Sequence, residues 1–170
     1  EYIVTSHDGE HTVRPDIVLF VNGIPFAVIE CKAPHISVEQ GIEQMIRNQQ
    51  GEYIPQLFKY IQIVMATNKN SVKYATTGTG KKYWSIWKEE DLDYLETAKA
   101  KYVEDRLATV QDENIISLLS IDRLKELTKY FVIYDANVKK ICRYQQYFAI
   151  KEIIKTRKYC INTTKKKKKT

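Results

Sequence analysis

The chain has 170 residues, enough for one domain with a sizeable core plus a short appendage. Hydrophobic residues make up 44% and charged residues 28%, the balance of a water-soluble folded protein, and no apolar run reaches the roughly 18 residues of a membrane helix. Five of the six net positive charges come from Lys165 to Lys169, which leaves +1 for the rest of the chain, so bulk charge gives no argument for nucleic-acid binding.

Tyr2 to Thr5 is a short β-prone run, and His7 to Glu10 (HDGE) supplies a turn. Ile17 to Val21 and Ile24 to Lys32 are nearly continuous β-branched and aromatic runs around Asn22-Gly23, which predicts a hairpin of covered strands. Ser37 with Gln40 predicts a capping box, and Val38, Ile42, Met45 and Ile46 recur at helical spacing. Ile61 to Ala66 reads as a further strand, and Val72 to Tyr74 with Tyr83 to Trp87 as a hairpin around TTGTGKK. That loop is not a phosphate-binding GxxxxGK[ST] loop, because Ala75 stands where the first glycine is required and Lys82 where the closing serine or threonine is required. From about Asp91 the pattern turns helical, through Leu92, Leu95, Leu118, Leu119, Leu124 and Leu127 to Tyr144–Ile154. Cys31, Cys142 and Cys160 show no CxxC or Cys/His spacing, so neither a disulfide framework nor a zinc site is expected and the thiols are read as reduced. EYIVTSHDGE lacks the pattern of a secretory signal, and a cytoplasmic protein with no membrane partner is expected.

Three charges interrupt the two apolar strands. Asp16 opens one, while Glu30 and Lys32, two residues apart, share a face near the end of the other. Two carboxylates at a strand edge suit Mg²⁺, a hard cation that keeps several waters, and a neighbouring lysine can orient or deprotonate a bound water. The helix aims Gln49 inward beside Val38 and Ile42, at about 100° per residue, with Tyr53 about 40° further round.

Pro15-Asp16, with Glu30-Cys31-Lys32 fourteen residues beyond Asp16, resembles the PD-(D/E)xK phosphodiesterase motif. The whole string RPDIVLFVNGIPFAVIECKAP is similar to the nuclease domain of type I restriction enzyme R subunits. Gln49 to Tyr53 matches that family's QxxxY motif, and Arg143-Tyr144-Gln145-Gln146-Tyr147-Phe148-Ala149 resembles the adenine-contacting segment that opens its helicase-like motor. The resemblance implies an α/β, restriction-endonuclease-like mixed sheet flanked by helices, with a C-terminal helical segment. It divides the chain into a nuclease core (1–95), a helical connector (96–140) and the start of a truncated motor with a Lys-rich tail (141–170).

It further implies an Mg²⁺-dependent endonuclease acting on double-stranded DNA with modification and specificity subunits. Asp16, Glu30 and the backbone carbonyl of Cys31 would hold the metal, Lys32 would serve the attacking water, and Gln49 and Tyr53 would orient the lysine or the phosphate. Gln145 and Gln146 would contact adenine only in a full-length parent, since no Walker A loop follows here, so ATP binding by this chain is not expected. A helix preceding the first strand is expected to be missing, with the chain incomplete at both ends. The alternatives are a non-enzymatic DNA-holding or docking module of the same fold and a stand-alone repair nuclease.

The site constrains the hairpin. A regular two-residue turn at Asn22-Gly23 would set Asp16 against Ile29, on the face opposite Glu30 and Lys32. An irregularity at Gly23 or at Pro15-Asp16 is therefore expected.

Overall fold

Asn22 and Gly23 adopt φ of 50° and 80°, so two residues turn the chain between β3 (Ile17–Val21) and β4 (Ile24–Cys31). Val21 pairs with Ile24 and Phe20 with Pro25, but Leu19 pairs with Ala27, leaving Phe26 as an extra residue in β4. The irregularity thus lies neither at Gly23 nor at Pro15-Asp16. It sits beside Pro25, which has no N–H to donate and is tolerated in a strand where the ladder is already broken. Beyond the bulge Ile17 faces Ile29, and continuing that register sets Asp16 opposite Glu30.

The computed structural model describes residues 2–167, with side chains through Tyr159. The Cys160 thiol and the side chains of the Lys165 to Lys169 run lie outside the described residues. A small antiparallel pair, β1 (Val4–Thr5) with β2 (Thr12–Val13), precedes the hairpin. β4 pairs in parallel with β5 (Ile63–Asn68), and β5 pairs antiparallel with β6 (Ser71–Ala75). The result is a mixed four-stranded sheet in the order β3-β4-β5-β6.

Strand β5 starts two residues later than the apolar run suggests. Segment Tyr83 to Trp87 forms no strand and joins β6 by one bridge, Tyr74 to Ser85. The TTGTGKK loop therefore hangs on the edge of the sheet, and Trp84 donates to the Thr79 carbonyl (3.2 Å) to close it.

Alternation in the strands divides the core. Val28, Val64, Ala66 and Ala75 face helix α1 (Val38–Asn48) and α2 (Pro55–Phe58), meeting Val38, Ile42, Met45, Leu57 and Phe58. Ala27, Ile29, Ile63, Met65, Val72 and Tyr74 face the other way, against Trp87 and residues from α4 (Val110–Leu119), α5 (Ile121–Tyr130) and α6 (Tyr144–Lys167). Helix α3 (Leu92–Tyr102) lies on the same flank, its Tyr94 hydroxyl donating to the Ile116 carbonyl (3.1 Å). Segment 92–148 therefore closes the core of the sheet. Ser37 caps α1 by accepting from the Glu39 N–H (3.3 Å), without the reciprocal bond of a capping box. Among the described residues no helix is long and apolar enough to cross a membrane.

Between α5 and α6 the chain forms a hairpin that its helical surroundings do not announce, β7 (Val132–Asp135) with β8 (Val138–Ile141). Ala136 and Asn137 take φ of 46° and 63°. From β8, Lys139 reaches back to donate to the Ile61 carbonyl (2.8 Å), and burial pushes its ammonium down from 10.5 to about 8. The unfolded chain keeps this proton to higher pH than the folded one, so Lys139 adds stability as pH rises from about 8 to 10.5. Chemical unfolding across that range is expected to show a smaller rise for Lys139→Met than for the wild-type chain.

Candidate functional site

Asp16, Glu30 and Lys32 meet at one end of the sheet. Asp16, in the bend before β3, accepts the Cys31 backbone N–H on Oδ2 (2.7 Å), which fixes its carboxylate against the end of β4. Glu30 is 2% exposed, and its face is settled by the strand: Val28 and Ala66 flank it on the α1 side, while the Cys31 side chain packs toward the other core. Lys32 folds back over α1. Its Nζ donates to Glu30 Oε1 and to Gln44 Oε1, both at 2.7 Å.

Burial raises the Glu30 carboxyl above the usual range, and the nearby Asp16 charge raises it further, against the opposing pull of Lys32. Each carboxylate keeps a second oxygen beyond those taken by the Cys31 N–H and the lysine. A buried acid beside a second acid, with one ammonium to share, costs stability that a core of this size would avoid by using apolar residues. Such an arrangement makes this end of the sheet the candidate functional site.

Helix α1 approaches the strands closely through Gly41. A Cβ there would stand 3.3 Å from Ala66 Cβ and 3.5 Å from the Cγ atoms of both Glu30 and Lys32. Gly41→Val is accordingly expected to cost about 1–3 kcal/mol in denaturant unfolding, by wedging the helix off the strands that carry the site. The end of β5 anchors the loop between β4 and α1. The Thr67 carbonyl accepts from Lys32 N (2.7 Å), and the Asn68 side-chain amide donates to the Ile36 carbonyl (2.7 Å). Across the sheet Lys73, opposite Ala66, pairs with Glu39 of α1, and Lys81 pairs with Glu43 (2.6 Å).

Gln49 and Tyr53 do not hold the lysine; Gln44 does. Gln49 is the C-cap of α1, donates to the Met45 carbonyl (2.9 Å), and accepts from Gly78 N (2.8 Å), so it ties the helix to the TTGTGKK loop. Gly51 follows the end of the helix, and Tyr53 falls in the turn beyond, stacked on His11 (4.7 Å) with the Arg47 guanidinium 5.2 Å from its ring. Gln44 was legible in principle: Gly41, Gln44 and Asn48 sit at i, i+3 and i+7, a small and polar stripe on one helix face. In the C-terminal segment, Gln146 accepts from Arg143 N (2.9 Å), Gln145 is exposed, and Tyr147 is buried.

Residues 1–83 match the family described as "Type I restriction enzyme R protein N terminus". The chain is 26% identical over 150 residues to a Methanocaldococcus jannaschii protein named as the MjaIXP type I restriction enzyme endonuclease subunit, covering 83% of this chain and 14% of that relative. It is 29% identical over 156 residues to the MjaVIIP endonuclease subunit of the same organism, covering 84% of this chain and 13% of the relative. Against the HindI endonuclease subunit of Haemophilus influenzae it is 26% identical over 148 residues, covering 82% of this chain and 13% of the relative. The resemblance read from the charged hairpin is thus matched twice, by the family model over residues 1–83 and by relatives named as type I restriction enzyme endonuclease subunits over most of the chain. The chain spans about 13–14% of the length of these relatives.

Proposed function

We propose that this chain carries the Mg²⁺-dependent nuclease site of a type I restriction R subunit, on a restriction-endonuclease-like fold. The supporting observation is the placement of Lys32 Nζ, 2.7 Å from Glu30 Oε1 and steadied by Gln44, beside a second carboxylate directly across the hairpin.

The donor set fits the cation. Among the described residues no group of three or more His, Cys, Asp and Glu gathers at one point, but magnesium needs only one or two carboxylates and takes its remaining ligands from water and phosphate. Asp16, Glu30 and the Cys31 carbonyl offer oxygen alone. When bound, the cation would polarise the scissile phosphate and acidify a water. Lys32 orients that water and neutralises the charge that develops on the phosphorus oxygens. Gln44 holds the lysine extended toward the carboxylates. In this reading Tyr53, with Arg47 and His11 around its ring, contacts the incoming phosphate, and Gln49 serves the fold by tying the TTGTGKK loop to the end of α1.

The substrate is double-stranded DNA, delivered by modification and specificity subunits, and ATP belongs to the longer parent protein. Calorimetric titration of the chain with Mn²⁺ tests the reading directly. The wild-type chain is expected to bind and Asp16→Ala to lose binding; equal affinity in both would overturn it. In the parent protein, plasmid cleavage in Mg²⁺ is expected to vanish with Glu30→Ala.

A further inference from the structure

A second site lies on the other edge of the sheet, where the TTGTGKK loop, the β7–β8 hairpin and the start of α6 enclose a groove of about 470 Å³. Two stretches far apart in sequence build it, the second running from the hairpin into α6. The loop supplies Gly78, Thr79, Gly80 and Tyr83, the hairpin supplies Lys139 and Lys140, and Arg143 stands at the entry to α6. Among the described residues, no Asp or Glu lines it, and Lys140 is paired with Asp135, which lies outside the lining.

The backbone of the loop is shaped for close approach. Gly78 takes φ of 77°, and a Cβ at that position would meet nothing within 4 Å, so the peptide surface is open. Tyr83 is 57% exposed, with the Lys82 ammonium 4.8 Å from its ring centroid. The loop is held in this shape from behind: Gln49 accepts from Gly78 N, Thr76 donates to the Gln62 carbonyl (2.8 Å), and Lys81 is drawn to Glu43. Lys139 is tethered to the Ile61 carbonyl, so it stays in the groove wall and does not swing into solvent.

Cations on one wall, glycine backbone on the other and an exposed ring at the mouth are the parts from which single-stranded nucleic-acid sites are made. Phosphates meet the cations, and an unstacked base lies on the aromatic face. A duplex cannot use them, since its bases are already stacked on each other and the groove holds only a nucleotide-sized unit. We propose that this groove binds a single-stranded segment of nucleic acid, with phosphate at Lys139, Lys140 and Arg143 and a base on Tyr83. It is separate from the Asp16–Glu30–Lys32 site: Ala75 of the groove pairs with Val64, two residues along β5 from the Ala66 that flanks Glu30, and on the outer strand β6.

Fluorescence anisotropy of the chain with a labelled oligothymidylate, in EDTA so that no metal chemistry intervenes, measures the binding. Arg143→Glu is expected to weaken it at least about tenfold, and Tyr83→Ala about fivefold or more, the range of single base stacks. Lys125→Glu on exposed α5 changes the net charge equally and is expected to stay within about twofold. Equal losses from Arg143→Glu and Lys125→Glu, or full affinity in Tyr83→Ala, would overturn the proposal. Photocrosslinking with an oligonucleotide containing 5-iododeoxyuridine is expected to label Tyr83. Labelling confined to the Lys165 to Lys169 run would show that the tail alone binds. ATP displacing the oligonucleotide completely would reassign the groove to free nucleotides. Asp16→Ala is expected to bind the oligonucleotide as the wild-type chain does, so loss of the nuclease reading would leave this result intact.

Discussion

Lys32→Met is expected to lower DNA cleavage by the parent protein at least about a hundredfold, the usual loss when a charge aimed at the reacting phosphate is removed. Methionine keeps most of the methylene stem, which packs against the helix at Gly41. The charge is the part that goes. Its loss is not neutral for the fold, because Lys32 is the ammonium that compensates Glu30, and Glu30 is 2% exposed. Without it burial and the Asp16 charge, both of which favour the protonated form, are opposed only by the smaller pull of Arg47.

Folding should then depend on pH in a defined direction. With its folded pKa raised further above the unfolded value, Glu30 binds a proton in the folded chain over a wider range. Lys32→Met should therefore lose stability as pH rises above the ordinary glutamate range, and more steeply than the wild-type chain does. Paired measurements of plasmid cleavage and urea unfolding between pH 5 and 8 check both halves. Undiminished cleavage, with no second lysine at the site, would refute the catalytic assignment. A pH-independent stability difference would refute the account of Glu30.

The three charges were legible because strand alternation fixes which residues share a face, and a hairpin fixes which residues oppose each other. Parity alone required one irregularity between Asp16 and Glu30. Its position was not determined, because a bulge anywhere in the hairpin restores the same face. Pro25 was the overlooked signal, being a residue without an N–H inside an apolar strand. Gln44 was obscured by a search for apolar periodicity, which records the stripe that faces the core and passes over the polar residue one step round. The β7–β8 hairpin lacked the Asn-Gly or Asp-Gly signature; Ala136 adopts positive φ there with no glycine to announce it. The role of residues 92–148 was hidden for a different reason. Helical spacing shows that a segment has an apolar face but not what that face covers, and here it covers the second side of the sheet.

That second side carries the largest expected effect on stability. Arg123 is 9% exposed and binds the Glu89 carboxylate through both terminal nitrogens, at 3.0 and 3.3 Å. Glu89 is completed by the Trp87 indole N–H (3.2 Å) and the Asp91 backbone N–H (3.1 Å). Around the guanidinium stand four rings, Trp87, Tyr94, Tyr147 and Phe148, with centroids 4.6 to 5.6 Å away. Tyr147 and Phe148 belong to the first turns of α6, so this one side chain joins α5, the segment after the TTGTGKK loop, and the start of the last helix. Glu126 reinforces the joint by accepting from the Tyr147 hydroxyl and from Lys151 (2.6 Å).

Arg123→Ala would leave Glu89 buried without a cation and leave the rings around an empty space. The expected loss is on the order of 3–5 kcal/mol, that of breaking a buried pair from one side. Glu89→Gln should cost less, because the amide still accepts from Trp87 and Arg123 keeps its four rings. Arg123→Lys should fall between the two, since an ammonium cannot bond both carboxylate oxygens in a planar fork. Urea unfolding followed by tryptophan fluorescence reads the order directly, with Trp87 inside the affected cluster. If Arg123→Ala and Glu89→Gln cost the same small amount, the cluster contributes little and α6 is held by its apolar contacts alone.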